Sequence, residues 1–174
     1  MKKFELTTEF ITNALGKKLF RIKALVEFGD VKSGELGGYV EKEENVSQDG
    51  DAWVYGNARV YGDALVSSNA RVSSDAKVYG NAKVYGDAKV SGNADVSSNT
   101  DYALAQGFGT KFRCTTFYRG KNKKIMVNCG CFHGDLEQFR ERVKETRSGK
   151  IEKEYLMIAD LMEYHFASED SSNE

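Results

Sequence analysis

The closest grouping of sulfur and imidazole side chains in this chain lies at Cys129, Cys131 and His133. These residues alternate, so on one strand all three would project from the same face, with Cys114 available on a partner strand. Four such ligands could hold a structural zinc ion. The paired spacing typical of zinc knuckles is missing, however, and cysteine is also common as a small buried apolar residue. We therefore expect no metal and no cofactor.

Neither a catalytic thiol nor phosphate transfer is supported by the sequence. A catalytic Cys–His pair needs a third group that orients the base, and no such residue can be named. The glycine-rich stretch 29–38, GDVKSGELGG, lacks the Gly-Lys-Ser/Thr ending of a phosphate-binding loop. We predict a long loop there.

The middle of the chain, residues 50–103, repeats every six residues. Alanine lies two residues before each of eight valines, which are Val54, Val60, Val66, Val72, Val78, Val84, Val90 and Val96. Each unit starts with Gly or Ser followed by Asp or Asn, residue types that favour turns. A small residue, a branched residue and a corner in strict repetition predict a parallel β-helix with one wall for each hexad.

The corner residues indicate how many walls one turn of the coil has. Asp and Asn alternate strictly at the second position of the hexads. With three walls, residues eighteen apart stack, so Asn69 lies between Asp51 and Asp87. With two or four walls, Asp would stack on Asp, and like charges directly opposite each other are destabilising. We therefore predict a mainly β fold with a three-sided coil.

The hexad pattern V-x-x-x-A-x resembles that of the hexapeptide-repeat, left-handed parallel β-helix proteins, many of which are trimeric acyltransferases. Here the position after each valine is Tyr or Ser, where the family carries a small residue. Two flanking segments resemble a group of phage and prophage hexapeptide-repeat proteins: LFRIKALVEFGDVKSGELGGYVEKEENVSQDGDAWVYGNARVYGDA and FYRGKNKKIMVNCGCFHGDLEQF. The resemblance implies a left-handed coil, a homotrimer and a viral origin, but no particular reaction.

The acyltransferases of this fold place a histidine base near the coil, in a groove between subunits. Residues 50–103 contain no histidine, and the chain's two histidines are His133 and His165. Without a base whose pKa is near neutral, a hydroxyl or an amine has no evident activator. We therefore expect no catalytic residues and a protein that is not an enzyme. A base from a neighbouring subunit stays an open alternative.

The outward face of the coil is richer in candidate binding residues. The first wall carries Trp53, Tyr55, Arg71 and Lys89, and the second wall carries Arg59, Tyr61, Lys77 and Tyr79. Cations interleaved with aromatic rings suit anionic, ring-bearing ligands such as nucleotides. The same residue types are favoured in subunit interfaces, and they also occur on ordinary surfaces. A ligand groove and a trimer interface can coexist, because grooves between subunits often bind ligands.

We predict four segments along the chain. Residues 1–49 form a β cap, residues 50–103 the hexapeptide-repeat β-helix, residues 104–168 a β-hairpin followed by two helices, and residues 169–174 a disordered tail. The hairpin strands are expected at 109–119 and 123–132. Asp135 and Gln138 form a capping box for the first helix, and the second helix is expected at about 151–166.

Composition limits the classes of partner. The net charge is −1 across 174 residues, which disfavours general nucleic-acid binding. No apolar run approaches the roughly 18–20 residues of a membrane span, and no signal core follows Met1. Three cysteines without such a signal indicate reduced thiols and a cytoplasmic protein, in the host cell if the chain is phage-encoded.

The leading functional hypothesis is a non-enzymatic, trimeric β-helix protein of phage origin that acts by binding. It would counteract host defence, either by sequestering a nucleotide signal or by occupying a host protein. One alternative is an acyltransferase-like enzyme that uses acyl-CoA. Another is a structural or assembly component of a virion, in which the coil is a rigid spacer.

Overall fold

The hexads form a coil of eight very short parallel strands. A computed structural model of the chain describes residues 2–167. The coil strands are β4 (Trp53–Val54), β5 (Arg59–Val60), β6 (Leu65–Val66), β7 (Arg71–Val72), β8 (Lys77–Val78), β9 (Lys83–Val84), β10 (Lys89–Val90) and β11 (Asp95–Val96). They wind through about three turns. The eight valines are fully buried and, with their alanines, form a narrow core.

Strand pairing confirms the three walls. The first wall consists of β4, β7 and β10, the second wall contains β5, β8 and β11, and the third wall consists of β6 and β9. Trp53 pairs with Arg71 and Arg71 with Lys89, which is a spacing of eighteen residues. At the corners, the amide nitrogen of Asn69 donates to Asp87 over 3.1 Å, and that of Asn57 donates to Asp75 over 3.2 Å. The alternation of Asp and Asn therefore replaces repulsion between stacked carboxylates with hydrogen bonds.

Residues before the hexads cover the first end of the coil. The strands β1 (Phe4–Thr12), β2 (Lys18–Ala24) and β3 (Leu36–Val40) form an antiparallel sheet. The strand β3 also pairs in parallel with β5, where Val40 lies beside Val60. That spacing is twenty residues, because two extra residues interrupt the repeat at Gln48 and Asp49. The Gln48 side chain accepts a hydrogen bond from the Lys3 backbone N–H over 2.8 Å, so the interruption fastens the cap to the coil.

A module of four strands and two helices covers the other end. It consists of β12 (Tyr102–Phe108), β13 (Arg113–Arg119), β14 (Ile125–Cys129), β15 (Phe132–Asp135), α1 (Leu136–Thr146) and α2 (Gly149–Phe166). One face of the sheet places Tyr102, Tyr118 and Met126 against the coil core. The opposite face packs Phe117 and Val127 against both helices.

The module has two more strands than the predicted hairpin. The strand β12 lies where the hexad pattern decays, and β15 follows a turn at Gly130, whose φ is +61°. That turn separates residues that the sequence had suggested as one strand from 123 to 132. The helices agree with prediction: Asp135 and Gln138 form the capping box, and α1 buries Leu136, Phe139 and Val143.

The predicted tail, residues 169–174, lies outside the described residues. Within residues 2–167 no helix is long and apolar enough to cross a membrane. The division into segments at residues 49 and 103 stays a prediction.

Candidate functional site

An open groove of about 480 Å³ runs along the first wall, between the cap and the C-terminal module. Its floor consists of coil residues, among them Tyr55, Arg71 and Lys89. The cap contributes Asp30 at one end, and the module contributes Asn128 at the other. This volume lies within the range of about 300–1,000 Å³ that is usual for small-molecule sites. We call this feature the first-wall groove.

The hexad period brings the floor residues together. Tyr55, Ser73 and Ser91 each follow a core valine, and Arg71 and Lys89 each precede one. Strands on one wall lie about 4.8 Å apart, so residues eighteen apart in sequence are direct neighbours. The Tyr55 side chain is 40% exposed and Ser73 only 9%. The Tyr55 ring therefore projects from the wall, while the neighbouring Ser73 lies in the floor of the groove.

Trp53 does not contribute to the groove. It lies on the first wall, as predicted, but it is only 1% exposed. The rings of Phe4 and Phe28 pack on it edge to face, with centroids at 6.0 and 5.4 Å. Its inclusion among the ligand-binding residues was therefore wrong, because the cap covers it and uses it as core.

The two cations of the groove differ in their partners. The Arg71 guanidinium forms an ion pair with Asp30, whose side chain is 85% exposed. The Gly29 backbone makes this approach possible, since a Cβ there would lie 2.8 Å from Arg71 Nη2. Among the described residues, no ion pair involves Lys89. The Lys89 ammonium is therefore free to meet an anionic ligand.

The module fixes the far end of the groove through its strands β13 and β14. The Asn128 amide nitrogen donates to the Lys89 carbonyl over 2.6 Å and to the Ser91 hydroxyl over 3.0 Å. The Lys89 backbone N–H donates to Thr116 Oγ1 over 2.9 Å. Sequence reasoning missed Asn128 and Asp30, because neither belongs to the repeat and no local pattern places them on the first wall.

The second wall forms a separate face. The rings of Tyr61 and Tyr79 stack on each other, with centroids 5.1 Å apart and planes 8° apart. Burial, together with a hydrogen bond to Asp95, raises the pKa of Tyr79 to about 12. Arg59 and Lys77 lie beside each other on the neighbouring column. The eight predicted ligand-binding residues thus lie on two walls of the coil, as the hexad columns predicted, and among them Tyr55, Arg71 and Lys89 line the first-wall groove.

The cysteines and His133 are not brought together as the alternation suggested. Cys129 ends β14, Cys131 lies in the turn, and His133 is on β15 opposite Asn128. In the part of the chain that the structure describes, no three His, Cys, Asp or Glu side chains converge closely enough to hold a metal ion. The reason is the turn at Gly130, which reverses the chain inside the motif.

His133 lies instead against the last turn of the coil. A Cβ on Gly92 would be only 3.1 Å from His133 Nε2, so the imidazole covers that corner. His133 is exposed and does not line the first-wall groove. The groove offers a phenol ring, two cations, two carboxylates and several hydroxyl and amide groups, an arrangement suited to binding.

A second opening continues the first-wall groove towards the module. Asp87, Lys89 and Gly130 line both, and the second opening adds Arg113 and the ring of Phe112, which is 68% exposed. A further cation and a further aromatic ring thus lie beyond Lys89. The first-wall groove therefore continues past Lys89 towards the module.

No protein-family model matches the chain, and no curated protein is significantly similar to it.

Proposed function

We propose that the protein is a non-enzymatic binding protein whose first-wall groove holds an anionic, ring-bearing ligand of the nucleotide class. The observation that carries the proposal is the exposed Tyr55 ring beside Arg71 and Lys89 in one groove of about 480 Å³. The ring offers a stacking surface for a base, and the two cations offer ion pairs to phosphate.

The polar groups of the groove suit the remaining parts of such a ligand. The exposed Asp30 carboxylate orients Arg71 and can accept hydrogen bonds from ribose hydroxyls. Ser73, Ser91 and the Asn128 amide line the floor between the cations and the module. Because Asp30 and Asp87 balance the charge of Arg71 and Lys89, we expect selection for a compact ligand and not for long nucleic acid.

The proposed biological role is to counteract host defence by sequestering a nucleotide signal or by occupying a host protein. The flanking segments, which resemble phage and prophage hexapeptide-repeat proteins, support this role and a location in the host cytoplasm. Expression in a host that carries nucleotide-signalled defence should lower the defence. Unchanged defence, together with a lack of nucleotide binding, would remove the sequestering role.

Binding is tested by calorimetry with a panel of cyclic and ADP-ribose-like nucleotides. We expect saturable binding that Lys89→Gln weakens at least about tenfold, since a charge-assisted hydrogen bond contributes about 1.5–3 kcal/mol. Tyr55→Ala should weaken it by a similar factor through lost stacking.

The third wall provides matched controls for both variants. Lys83 and Tyr85 occupy the same hexad positions as Lys89 and Tyr55, and both are exposed. Lys83→Gln and Tyr85→Ala should leave nucleotide affinity within about twofold. Equal losses in control and test variants would show that the first-wall groove is not the site.

We propose further that three copies associate, with the second wall as the subunit contact. The stacked rings of Tyr61 and Tyr79 and the neighbouring Arg59 and Lys77 are residue types that interfaces favour. Light scattering at micromolar concentration should give three times the chain mass of 19.4 kDa. Replacement of Tyr79 by Glu should shift the mass towards one chain, and a single-chain mass for the unaltered protein would contradict the trimer.

One observation favours acyl transfer as a second candidate function. His133 lies against the coil at Gly92. The hexapeptide-repeat acyltransferases, which the hexads of this chain resemble, use a histidine near the coil as a base. Acetyl-CoA binding that disappears with His133→Ala would support this candidate. Unaltered protein that binds no acyl-CoA would eliminate it.

A further inference from the structure

A second concave site lies in the C-terminal module. It shares Arg113 and Cys131 with the second opening but no lining residue with the first-wall groove. It is a pocket of about 150 Å³ between the turn after β14, the last turn of α1 and the loop that precedes β13. Three arginines and one lysine line it, and none of its lining residues is acidic. We call it the arginine pocket; its cations are Lys111, Arg113, Arg142 and Arg147.

Three different elements direct these cations to one place. Arg142 belongs to α1, and Arg147 follows that helix, with its backbone N–H donating to the Val143 carbonyl over 2.9 Å. Arg113 begins β13 and lies over the turn at Gly130, where a Cβ would be 2.4 Å from Arg113 Nη1. Glycine at that turn therefore makes room for the guanidinium.

The base of the pocket is apolar and buried. Phe139, Val143 and Tyr155 are each less than 9% exposed and belong to the core between the sheet and the helices. The Tyr155 hydroxyl donates to the Phe108 carbonyl over 3.3 Å. Burial raises the pKa of Tyr155, so this hydroxyl stays protonated at neutral pH.

The cations of the pocket lack the partners that other arginines of the same module have. Arg140, also on α1, forms ion pairs with Glu137, Asp160 and Glu163. In residues 2–167, no ion pair involves Lys111, Arg113 or Arg147, and Arg142 has one contact of 3.7 Å to the exposed Glu145. Converging like charges repel one another, and a bound anion would remove that repulsion.

The size and shape of the pocket define the class of anion. Guanidinium groups bind phosphate oxygens through two parallel hydrogen bonds, which favours a tetrahedral oxyanion. A volume of about 150 Å³ is smaller than the usual sites for whole small molecules, so a complete nucleotide would not fit. We propose that the arginine pocket binds one phosphate group, either as free phosphate or as the phosphate of a small phosphomonoester.

Calorimetric titration with inorganic phosphate, at ionic strength held constant with chloride, tests the proposal on the full chain. We expect saturable binding at one site per chain. Arg147→Gln should weaken phosphate binding at least fivefold. Arg147→Lys should retain only part of the affinity, because lysine keeps the charge but lacks the two parallel N–H donors of the guanidinium. Arg142→Gln combined with Arg147→Gln should abolish it.

A matched control separates a built site from general charge. Lys144→Gln removes one positive charge from the same helix at an exposed residue that does not line the pocket. Its phosphate affinity should stay within twofold of the unaltered protein. A response that never saturates, or an equal loss with Lys144→Gln, would overturn the proposal.

A thiol readout guards against variants that fold poorly. Cys131 is exposed and lines both the arginine pocket and the second opening, whereas Lys89 lines only the latter of the two. Phosphate should therefore slow the alkylation of Cys131 by neutral iodoacetamide at least threefold both in the unaltered protein and in Lys89→Gln, as measured by mass spectrometry of the labelled peptide. Phosphate that leaves the Cys131 rate unchanged in the unaltered protein would count against occupancy of this pocket.

Two further arms identify the source of the phosphate and separate this site from the first-wall groove. Phenyl phosphate places a ring against Phe132 and Tyr155; tighter binding than inorganic phosphate indicates a phosphomonoester, and equal binding indicates free phosphate. Lys89→Gln should leave phosphate affinity in the arginine pocket unchanged. If Lys89→Gln alone abolishes phosphate binding, the anion is held by the first-wall groove and the arginine pocket is not its site.

Discussion

Lys3 is a buried cation at the first end of the coil. It is 4% exposed, and its ammonium donates to the Ala52 carbonyl over 2.9 Å and to the Gly50 carbonyl over 3.1 Å. Burial lowers the pKa of Lys3 from 10.5 to about 8, although Asp51 partly opposes the change. The neutral amine can still donate a hydrogen bond to either carbonyl, so deprotonation leaves the cap attached.

The lowered pKa of Lys3 predicts a rise in stability with pH. Between about pH 8 and 10.5 the unfolded chain binds more protons at Lys3 than the folded chain, so the free energy of unfolding increases with pH in that window. Urea denaturation from pH 7.5 to about 9.5, below the ordinary pKa of tyrosine, should show this rise for the unaltered protein. The rise should be missing in Lys3→Met, and parallel curves for the two proteins would contradict the assignment.

Trp53 and Lys3 show why single residues were the hardest to place from sequence. Lys3 precedes β1 and Trp53 begins β4. Both side chains would be solvated if the end of the coil were open. Phe4 and Phe28, which are distant from Trp53 in sequence, cover its ring, and the Lys3 ammonium lies 4.8 Å from the centroid of the Phe28 ring. Burial at a capped end depends on residues that no local period includes.

Among the elements, the corners of the coil are the most regular. The first residue of each hexad adopts a left-handed backbone, with φ near +60°, and most of these residues are glycine. Ser68 and Ser74 adopt the same conformation, with φ of 58° and 59°. A side chain makes that conformation about 1–2 kcal/mol less favourable than it is for glycine.

Ser74→Gly should therefore stabilise the coil. We expect the free energy of unfolding to increase by about 0.5–1 kcal/mol, since the greater flexibility of unfolded glycine offsets part of the gain. Ser67→Gly is the matched control, because Ser67 is not among the residues of positive φ, and it should destabilise by a similar amount. Thermal unfolding of both variants measures the difference, and a loss of stability in Ser74→Gly would show that its hydroxyl matters more than its backbone.

The C-terminal module shows where element prediction reached its limit. The helices and the capping box at Asp135 follow local rules and were placed correctly. The strand β15 has only four residues, and β12 begins at Tyr102, where the hexad pattern has decayed. These two strands form because they complete a sheet with β13 and β14, which is a tertiary effect.

At the scale of the whole molecule, one sheet joins the two cores. Tyr118 is fully buried in the coil core, and its neighbour Phe117 is fully buried against the helices. The module therefore covers the open end of the coil, which would otherwise expose apolar residues and unpaired strand edges.

Tyr118→Ala should destabilise the coil and the module together. We expect a loss of about 3–5 kcal/mol, as for other large aromatic residues removed from cores. Trp53, the chain's single tryptophan, reports on the opposite end of the coil, and its fluorescence transition in urea should shift together with the helical circular dichroism signal. Exposed Tyr85→Ala is the control. A Trp53 transition that stays unchanged in Tyr118→Ala would mean that the two ends unfold independently.

The amino-acid sequence by itself determined the coil, its three walls and the helices of the module. The coil follows from the six-residue repeat and from the Asp and Asn residues at its turns, and the helices follow from apolar residues spaced about 3.6 apart. Both patterns can be read from neighbouring residues of the chain. Tertiary structure alone decided which wall becomes a groove, because Asp30 from the cap and Asn128 from the module close its ends. It also buried Trp53, separated Cys129 from His133 and gathered Arg113, Arg142 and Arg147. Each of these outcomes depends on contacts between segments far apart in sequence, which no repeat pattern encodes.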